Sequence, residues 1–252
     1  MRSVNLILLE SGEVDAQGRV VLSDQRAAHL RDVLRAAPGG SVRCGVVDGP
    51  QGLARIETVS ESQVVLQCVL DQEAPPAPRV DLLLALPRPK VMNRLWAQLA
   101  AMGVDRIILT NAWKVERVYF DTHVLREDHY RPLLLEGLQQ AQDTRLPRVT
   151  IHRQFRKLVE DELATLSPGS RRLLADSPAG QRFSDLARSA DSERVLLAVG
   201  PEGGWTDFER RLLMEHGFTQ VSMGARTLRS DTACIALLSL VHECVLGLRE
   251  PA

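Results

Sequence analysis

The chain has 252 residues, of which 44% are hydrophobic and 25% charged, with a formal net charge of -1. A chain this long can bury roughly three quarters of its unfolded surface without a disulfide or metal staple, and the charge balance excludes a uniformly basic nucleic-acid binder while allowing a local basic patch. Lysine occurs only at Lys90, Lys114 and Lys157; the arginine bias suits bidentate phosphate contacts but equally reflects genome composition, the plainer reading.

In chain order, residues 3 to 9 read as a strand. After a polar turn, Ser23 or Asp24 caps a helix with Ala27, Leu30, Val33 and Leu34 on one face, and Pro38, Gly39 and Gly40 stop it. Strands over 42–47, 54–59 and 64–69, separated by the turn signals DGPQG and SESQ, complete a small β-rich unit over residues 1–72. The EAPPAP run makes residues 73–79 a semi-rigid linker and the expected domain boundary. Beyond it, strands over 80–86, 106–110, 148–152, 172–175, 194–199 and 218–223 alternate with helices over 91–102, 125–142, 155–166, a short one from Ser184, 207–216 and 231–248. Short apolar strands in this alternation specify an α/β domain over 80–252, with a parallel sheet covered by helices on both faces.

The stretch from Arg194 to Ala233 carries the densest punctuation. A buried strand runs into Gly200, Pro201, Glu202, Gly203 and Gly204, then into a helix whose Thr206 and Glu209 have capping-box spacing. The helix entrance therefore has its own acceptors, and the free amides belong to the loop. A second strand ends in Gly224 and a loop over 225–229, after which Ser230 or Asp231 caps the last helix. Two glycine-marked loops at the ends of neighbouring strands make a crevice of the kind where open α/β sheets bind ligands. The first loop lacks the Lys-Ser/Thr ending of a P-loop and the GxGxxG of dinucleotide binders, which argues against ATP and NAD. It is either a close-approach surface for a flat ligand or a plain strand-to-helix turn.

Other candidates carry two readings each. Arg229 either steadies negative charge on a substrate or is a surface arginine beside a helix start. Arg88, Lys90 and Arg94 offer phosphate contacts or form a solvated charge run. Glu136, Gln140 and Asp143 share a helix face, followed by Arg145. Trp113, Tyr119 and Phe120 with Lys114 and Arg117 could stack and clamp unpaired bases or simply pack a loop. The six histidines form no HExxH and the four cysteines show no paired metal spacing, so no metal is expected. No run approaches 18 uninterrupted apolar residues and the N-terminus has no signal-peptide pattern, so a cytoplasmic protein without a membrane partner is expected.

Taken together, these segments resemble the bacterial family of 16S ribosomal RNA uridine-N3 methyltransferases, members of the knotted SPOUT superfamily, over nearly the whole chain. HLRDVLRAAPGGSV is similar to the family's HLxxVLRxxxGD, and ALPRPKVMNRLWAQLAAMGVDRII resembles its LPK and ELGVxRI block. The most specific matches are AVGPEGGWTDFE for IGPEGGFxxxE and MGARTLRSDTA for LGxRILRxETA. The resemblance implies a PUA-like RNA-binding barrel at the N-terminus, a second domain that threads a deep trefoil knot, S-adenosylmethionine in the knot loops, and a homodimer whose subunits complete each other's sites. It assigns Gly200, Pro201, Glu202 and Gly203 to the first cofactor loop and Met223, Gly224 and Leu228 to the second. Arg229, Thr232 and Ala233 begin the final helix, with Arg229 at the methyl-transfer centre and Glu202 or Asp231 as proton acceptor. Arg88, Lys90, Arg94, Lys114 and Arg145 are the expected RNA contacts, and the partner is small-subunit ribosomal RNA.

The chain departs from the family pattern at Gln98 and Ala101, at Asn111 to Lys114 and at Gln139 to Asp143. These departures keep open a superfamily relative that modifies another ribosomal or transfer RNA position. A non-catalytic ribosome-assembly factor is the alternative of another class, against which the intact cofactor loops count.

Overall fold

The computed structural model describes residues 6–176, 181–186 and 193–246, which divide into two units: Met1–Ala77 with Leu135–Leu146, and Pro78–Leu134 with Pro147–Ala252. The first unit holds β1 (Ile7–Leu9), β2 (Arg19–Leu22), α1 (Gln25–Ala28, continued by a π-helical turn His29–Val33), β3 (Ser41–Val46), β4 (Gln51–Val59) and β5 (Val64–Gln72). They form one sheet in the order β1-β3-β4-β5-β2, antiparallel except for β1 against β3. Residues 3 to 5 of the expected first strand lie outside the described residues.

The β2 strand replaces the expected polar turn. Its four residues alternate out and in, burying Val20 and Leu22, a repeat too short to stand out in the sequence. Asp24 is the cap of α1, its carboxylate accepting from the Arg26 amide at 2.9 Å. Inward residues of the sheet and α1, including Leu9, Leu22, Leu30, Ile56 and Leu66, form one apolar core. The later segment Leu135–Leu146 is hydrogen-bonded into this unit, with the Leu6 amide donating to Gln139 O at 3.3 Å and Arg43 Nη1 donating to Gln142 Oε1 at 2.6 Å.

The second unit is an α/β structure. In chain order it contains β6 (Val80–Ala85), α2 (Pro89–Ala101), β7 (Val104–Thr110), the part of α3 (Glu127–Ala141) before Leu135, β8 (Arg148–His152), α4 (Phe155–Lys157), α5 (Leu163–Leu166), β9 (Arg171–Ala175), β10 (Gln181–Arg182), β11 (Val195–Val199), α6 (Asp207–Glu215), β12 (Thr219–Ser222) and α7 (Ser230–Leu240). The sheet order is β10-β12-β9-β11-β6-β7-β8, and every pairing is parallel. Strands buried at every position, the wholly apolar VLLAV and VDLLLA with its one acid, Asp81, build such a sheet. The strand β11 lies between β6 and β9, both laid down earlier in the chain.

Several boundaries differ from expectation for identifiable reasons. Pro89 takes the first position of α2, two residues before the expected start, because its fixed φ and missing N–H suit a helix entrance. The single helix expected over 155–166 is α4, a π turn Leu158–Glu162 and α5 in series. Two 3-10 turns, Arg117–Asp121 and His123–Leu125, precede α3. At Ser184 there is one 3-10 turn, Phe183–Asp185; the continuation of that expected helix lies outside the described residues, as does the end of the last helix beyond Leu246.

Buried charge sits at the amino ends of the strands. Arg194, just before β11, donates to Asp81 Oδ1 and Asp105 Oδ2, each at 2.6 Å, and Ser167 Oγ completes Asp81 at the same distance. Asp81 is fully buried, so losing either partner would strand a charge in the core. The opposite, carboxyl ends are left for the loops.

Candidate active site

At the end of β11 the chain turns through Gly200 to Gly204, where the Gly204 amide donates to Pro201 O at 2.8 Å. At Gly203 a Cβ would lie 2.8 Å from Cδ of Lys114, because the lysine crosses the loop and its Nζ donates to Gly203 O at 2.5 Å. Helix α6 then opens with the expected capping box: Thr206 Oγ1 accepts from the Glu209 amide, and Glu209 Oε2 accepts from the Thr206 amide at 2.8 Å. Glu209 has a second task that spacing alone does not disclose. Its Oε1 accepts from the Trp113 amide at 2.6 Å, fastening the 111–114 loop to the helix entrance.

The second loop follows β12. Gly224 has φ +109°, a conformation that costs side-chain-bearing residues dearly, and its amide donates to Ser222 Oγ. Residues 225–229 are exposed. Neither expected cap holds at α7: Arg229 itself is the N-cap, in extended conformation and without a side-chain capping bond. Asp231 instead faces sideways, its Oδ1 accepting from the Thr232 amide at 2.9 Å and its Oδ2 from Arg94 Nη2 at 2.6 Å.

The two loops enclose a cavity of about 290 Å³ at the carboxyl ends of β9, β11 and β12. Val199, Val221 and Leu237 give it an apolar floor; Gly200, Pro201, Glu202, Gly203, Met223, Gly224, Leu228 and Ala233 form its walls. Thr232 is not on the lining, and exposed Arg229 lies between the lining residues Leu228 and Ser230. Asp176, Glu202 and Arg226 add charge of both signs at the rim. An apolar floor, backbone edges and mixed charge suit a flat-ringed ligand that carries both amino and carboxylate groups.

The other expected residues are distributed unevenly. Arg88 is the N-cap of α2 and its amide donates to Glu202 Oε1 at 3.3 Å, so the charged stretch does reach the first loop. Lys90 is exposed on the first turn of the same helix. Arg94 is committed to Asp231, and this pairing holds the Asp231 carboxyl below its ordinary value, against a smaller opposing effect of burial. Arg145 belongs to the first unit, where its guanidinium is spent on the carbonyls of Pro75 and Asp48.

Residues missed from sequence are Trp205, 3% exposed with its ring tilted against Phe155 at 5.4 Å between centroids, and Asp176, which accepts from Arg210 and Gln220. Trp205 occupies the aromatic position of the GPEGG pattern without a stated role there, and no local pattern marks Asp176. Among the described residues no group of three or more His, Cys, Asp or Glu side chains is placed to hold a metal, and no helix is long and apolar enough to cross a membrane.

Residues 74–242 match the family model of the RNA methyltransferase domain. The chain is 32% identical over 243 residues to the ribosomal RNA small subunit methyltransferase E of Treponema pallidum, covering 94% of this chain and 90% of that protein. It is 23% identical over 237 residues to ribosomal RNA small subunit methyltransferase E 1 of Borreliella burgdorferi, covering 92% and 95%. In three dimensions it is similar to the ribosomal RNA small subunit methyltransferase E of Neisseria gonorrhoeae, solved bound to S-adenosyl methionine, with a TM-score of 0.76, 19% identity and coverage of 94% and 96%. At that identity the likeness speaks for the fold.

Proposed function

This chain belongs to the RNA methyltransferase family, and we propose that it moves the methyl group of S-adenosylmethionine to N3 of a uridine in small-subunit ribosomal RNA. The observation that carries this reading is the meeting of the two loops, 200–204 and 223–228, across one cavity. The cofactor supplies a methyl already activated on a sulfonium, so the protein has chiefly to align nitrogen, carbon and sulfur, an effect worth on the order of 7 kcal/mol or more.

Uridine N3 carries a proton at neutral pH, and its departure leaves negative charge on the base oxygens. Arg229, exposed at the start of α7 beside the cavity, offsets that charge. Glu202 is the favoured proton acceptor. It lies on the cavity wall, exposed, and among the described residues holds one long contact, from the Arg88 amide, whereas Asp231 is kept ionised and occupied by Arg94 and Thr232. Arg88 and Lys90, at a helix N-terminus with no acidic residue in its first turn, are suited to an RNA phosphate.

The placement of β11 between β6 and β9 supports a SPOUT cradle threaded as a deep trefoil knot, an exception to the rule that chains avoid knots. The five-stranded first sheet supports a PUA-like barrel that binds RNA, with residues 73–79 as linker. A homodimer pairing the knot regions, and residence in the cytoplasm where ribosomal RNA is found, complete the reading. N3 lies on the Watson-Crick edge, so the target uridine must be unpaired or flipped out. Supplying tritiated cofactor with small ribosomal subunits, naked ribosomal RNA and transfer RNA, then mapping the label, tests it. Label at a single uridine of the small-subunit RNA is expected; label in transfer RNA alone, or none, would overturn it.

A further inference from the structure

A second and larger hollow, of about 710 Å³, opens among Asn111, Trp113, Arg117, Phe155, Arg156 and Phe208. The chain passes directly from one cavity to the other: Gly203, Gly204 and Trp205 line the first, and Thr206, Phe208 and Glu209 line the second. Two of its aromatic side chains are given to solvent, Trp113 at 83% exposure and Phe208 at 52%. Large exposed apolar groups gathered round a concavity mark a binding surface.

Charge and hydrogen bonding narrow the occupant. Glu209 is the carboxylate on the wall, and both its oxygens are already taken, by the Trp113 amide and by Thr206. On the cationic side, Arg117 lines the hollow and enters no ion pair among the described residues, and Arg156 shares an exposed i,i+4 pair with Glu160 that water weakens. Asn111 Oδ1 is buried without a hydrogen-bond partner among the described residues, an acceptor with no donor where buried polar atoms ordinarily have one. Aromatic faces, an arginine without a counter-charge and an unmet acceptor match the ring face, phosphodiester and amino group of a nucleotide. An apolar protein surface would leave the cations unneutralised, and a free phosphate would leave the rings uncovered.

We propose that this hollow is a subsite for one unpaired nucleobase of the RNA substrate, adjoining the nucleotide that is methylated. Trp113 stacks on the base, Arg117 neutralises its phosphodiester, and Asn111 Oδ1 accepts from its amino group. The subsite rests on the RNA methyltransferase reading above and deepens it, since it arises where Asn111 to Lys114 depart from the family's wording.

The full-length protein supplies its own probe. Of its three tryptophans, Trp96 and Trp205 are 0% and 3% exposed, so quenching of tryptophan fluorescence by a single-stranded hexaadenylate reports on Trp113. Saturable quenching is expected in the wild type. By anisotropy of a labelled hexamer, Trp113→Ala should weaken binding by about five- to a hundredfold, the contribution of one base stack. Trp113→Phe should restore most of it, and Arg117→Ala should lower the salt slope by about 1. Unchanged affinity in Trp113→Ala, within twofold, would overturn the subsite. So would light scattering in which that variant breaks apart a wild-type dimer, which would make this face an interface between copies. Quenching through Trp113 without methyl transfer to any RNA would leave the subsite standing and remove the methyltransferase reading. Transfer by a Trp113→Ala protein with wild-type KM for RNA would do the reverse.

Discussion

Arg94 reaches from α2 to place Nη2 2.6 Å from Oδ2 of Asp231 in the first turn of α7, joining residues 137 positions apart. This bond, with the Thr232 amide, favours the ionised carboxylate and holds its pKa below the ordinary 3.8. A lowered folded value means that the pair's stabilisation is complete above the ordinary value and is lost as pH falls through the lower one. It therefore persists through the whole neutral range.

Replacing Arg94 with Ala should accordingly raise the Asp231 pKa towards its ordinary value, as read by carboxyl-carbon NMR titration. With Glu202 as the proposed proton acceptor, the acid limb of methyl transfer should stay where it was. A limb that moves with Asp231 would reassign the base.

Arg229→Ala should abolish methyl transfer while leaving the calorimetric affinity for S-adenosylmethionine within a few fold. The residue adjoins the cavity without lining it, so its loss removes charge compensation and leaves the walls in place. Wild-type turnover would remove it from the mechanism.

The Gly203→Ala substitution should weaken cofactor binding, because the new methyl meets Lys114 Cδ at 2.8 Å and displaces the lysine from Gly203 O. Lys114 is flexible, so the clash is relieved by truncating it. Calorimetry on Gly203→Ala, Lys114→Ala and the double variant should show non-additivity, with the double variant binding more tightly than the sum of single losses allows. Strict additivity would mean that the two residues do not meet.

The second unit should lose stability in mild acid through His242. Burial lowers its pKa below the ordinary 6.5, outweighing the opposing bond from Nε2 to Met102 O at 2.7 Å, and Arg79 adds a smaller lowering effect. The unfolded chain therefore binds a proton more readily, and the contribution, complete above about 6.5, fades as pH falls towards the folded value. Urea midpoints between pH 7.5 and 5 should fall for the wild type and flatten in His242→Gln.

The parallel sheet was legible because its central strands are largely apolar without alternation and its strands are mostly separated by helix-length segments. The capping box at Thr206 and Glu209 was equally plain, since both partners are local. Sequence could not disclose the second bond of Glu209 to Trp113, the commitment of Arg94 to Asp231, or the grip of Lys114 on Gly203. These join residues about 90 to 140 positions apart, and no local propensity encodes them. The short β2 strand was lost for a different reason: four residues give too few repeats to separate a strand from a turn. The bonds of Arg145 are hidden for another reason: its acceptors are backbone carbonyls, which any sequence supplies.

The place of β11 has a consequence in time. Strands β6 and β9 do not pair with each other, and each pairs with β11, so a nascent chain that has emerged only as far as Ala175 holds the β6-β7-β8 fragment and a lone β9 awaiting their shared neighbour. The carboxyl ends that wall the cavity come together when residues 195–199 arrive, and β12 and α7 follow still later. A ribosome that aborts before this point releases a fragment with open strand edges and no grip on the methyl donor, a target for proteolysis. Once the sheet has closed, bound cofactor stabilises that arrangement by mass action.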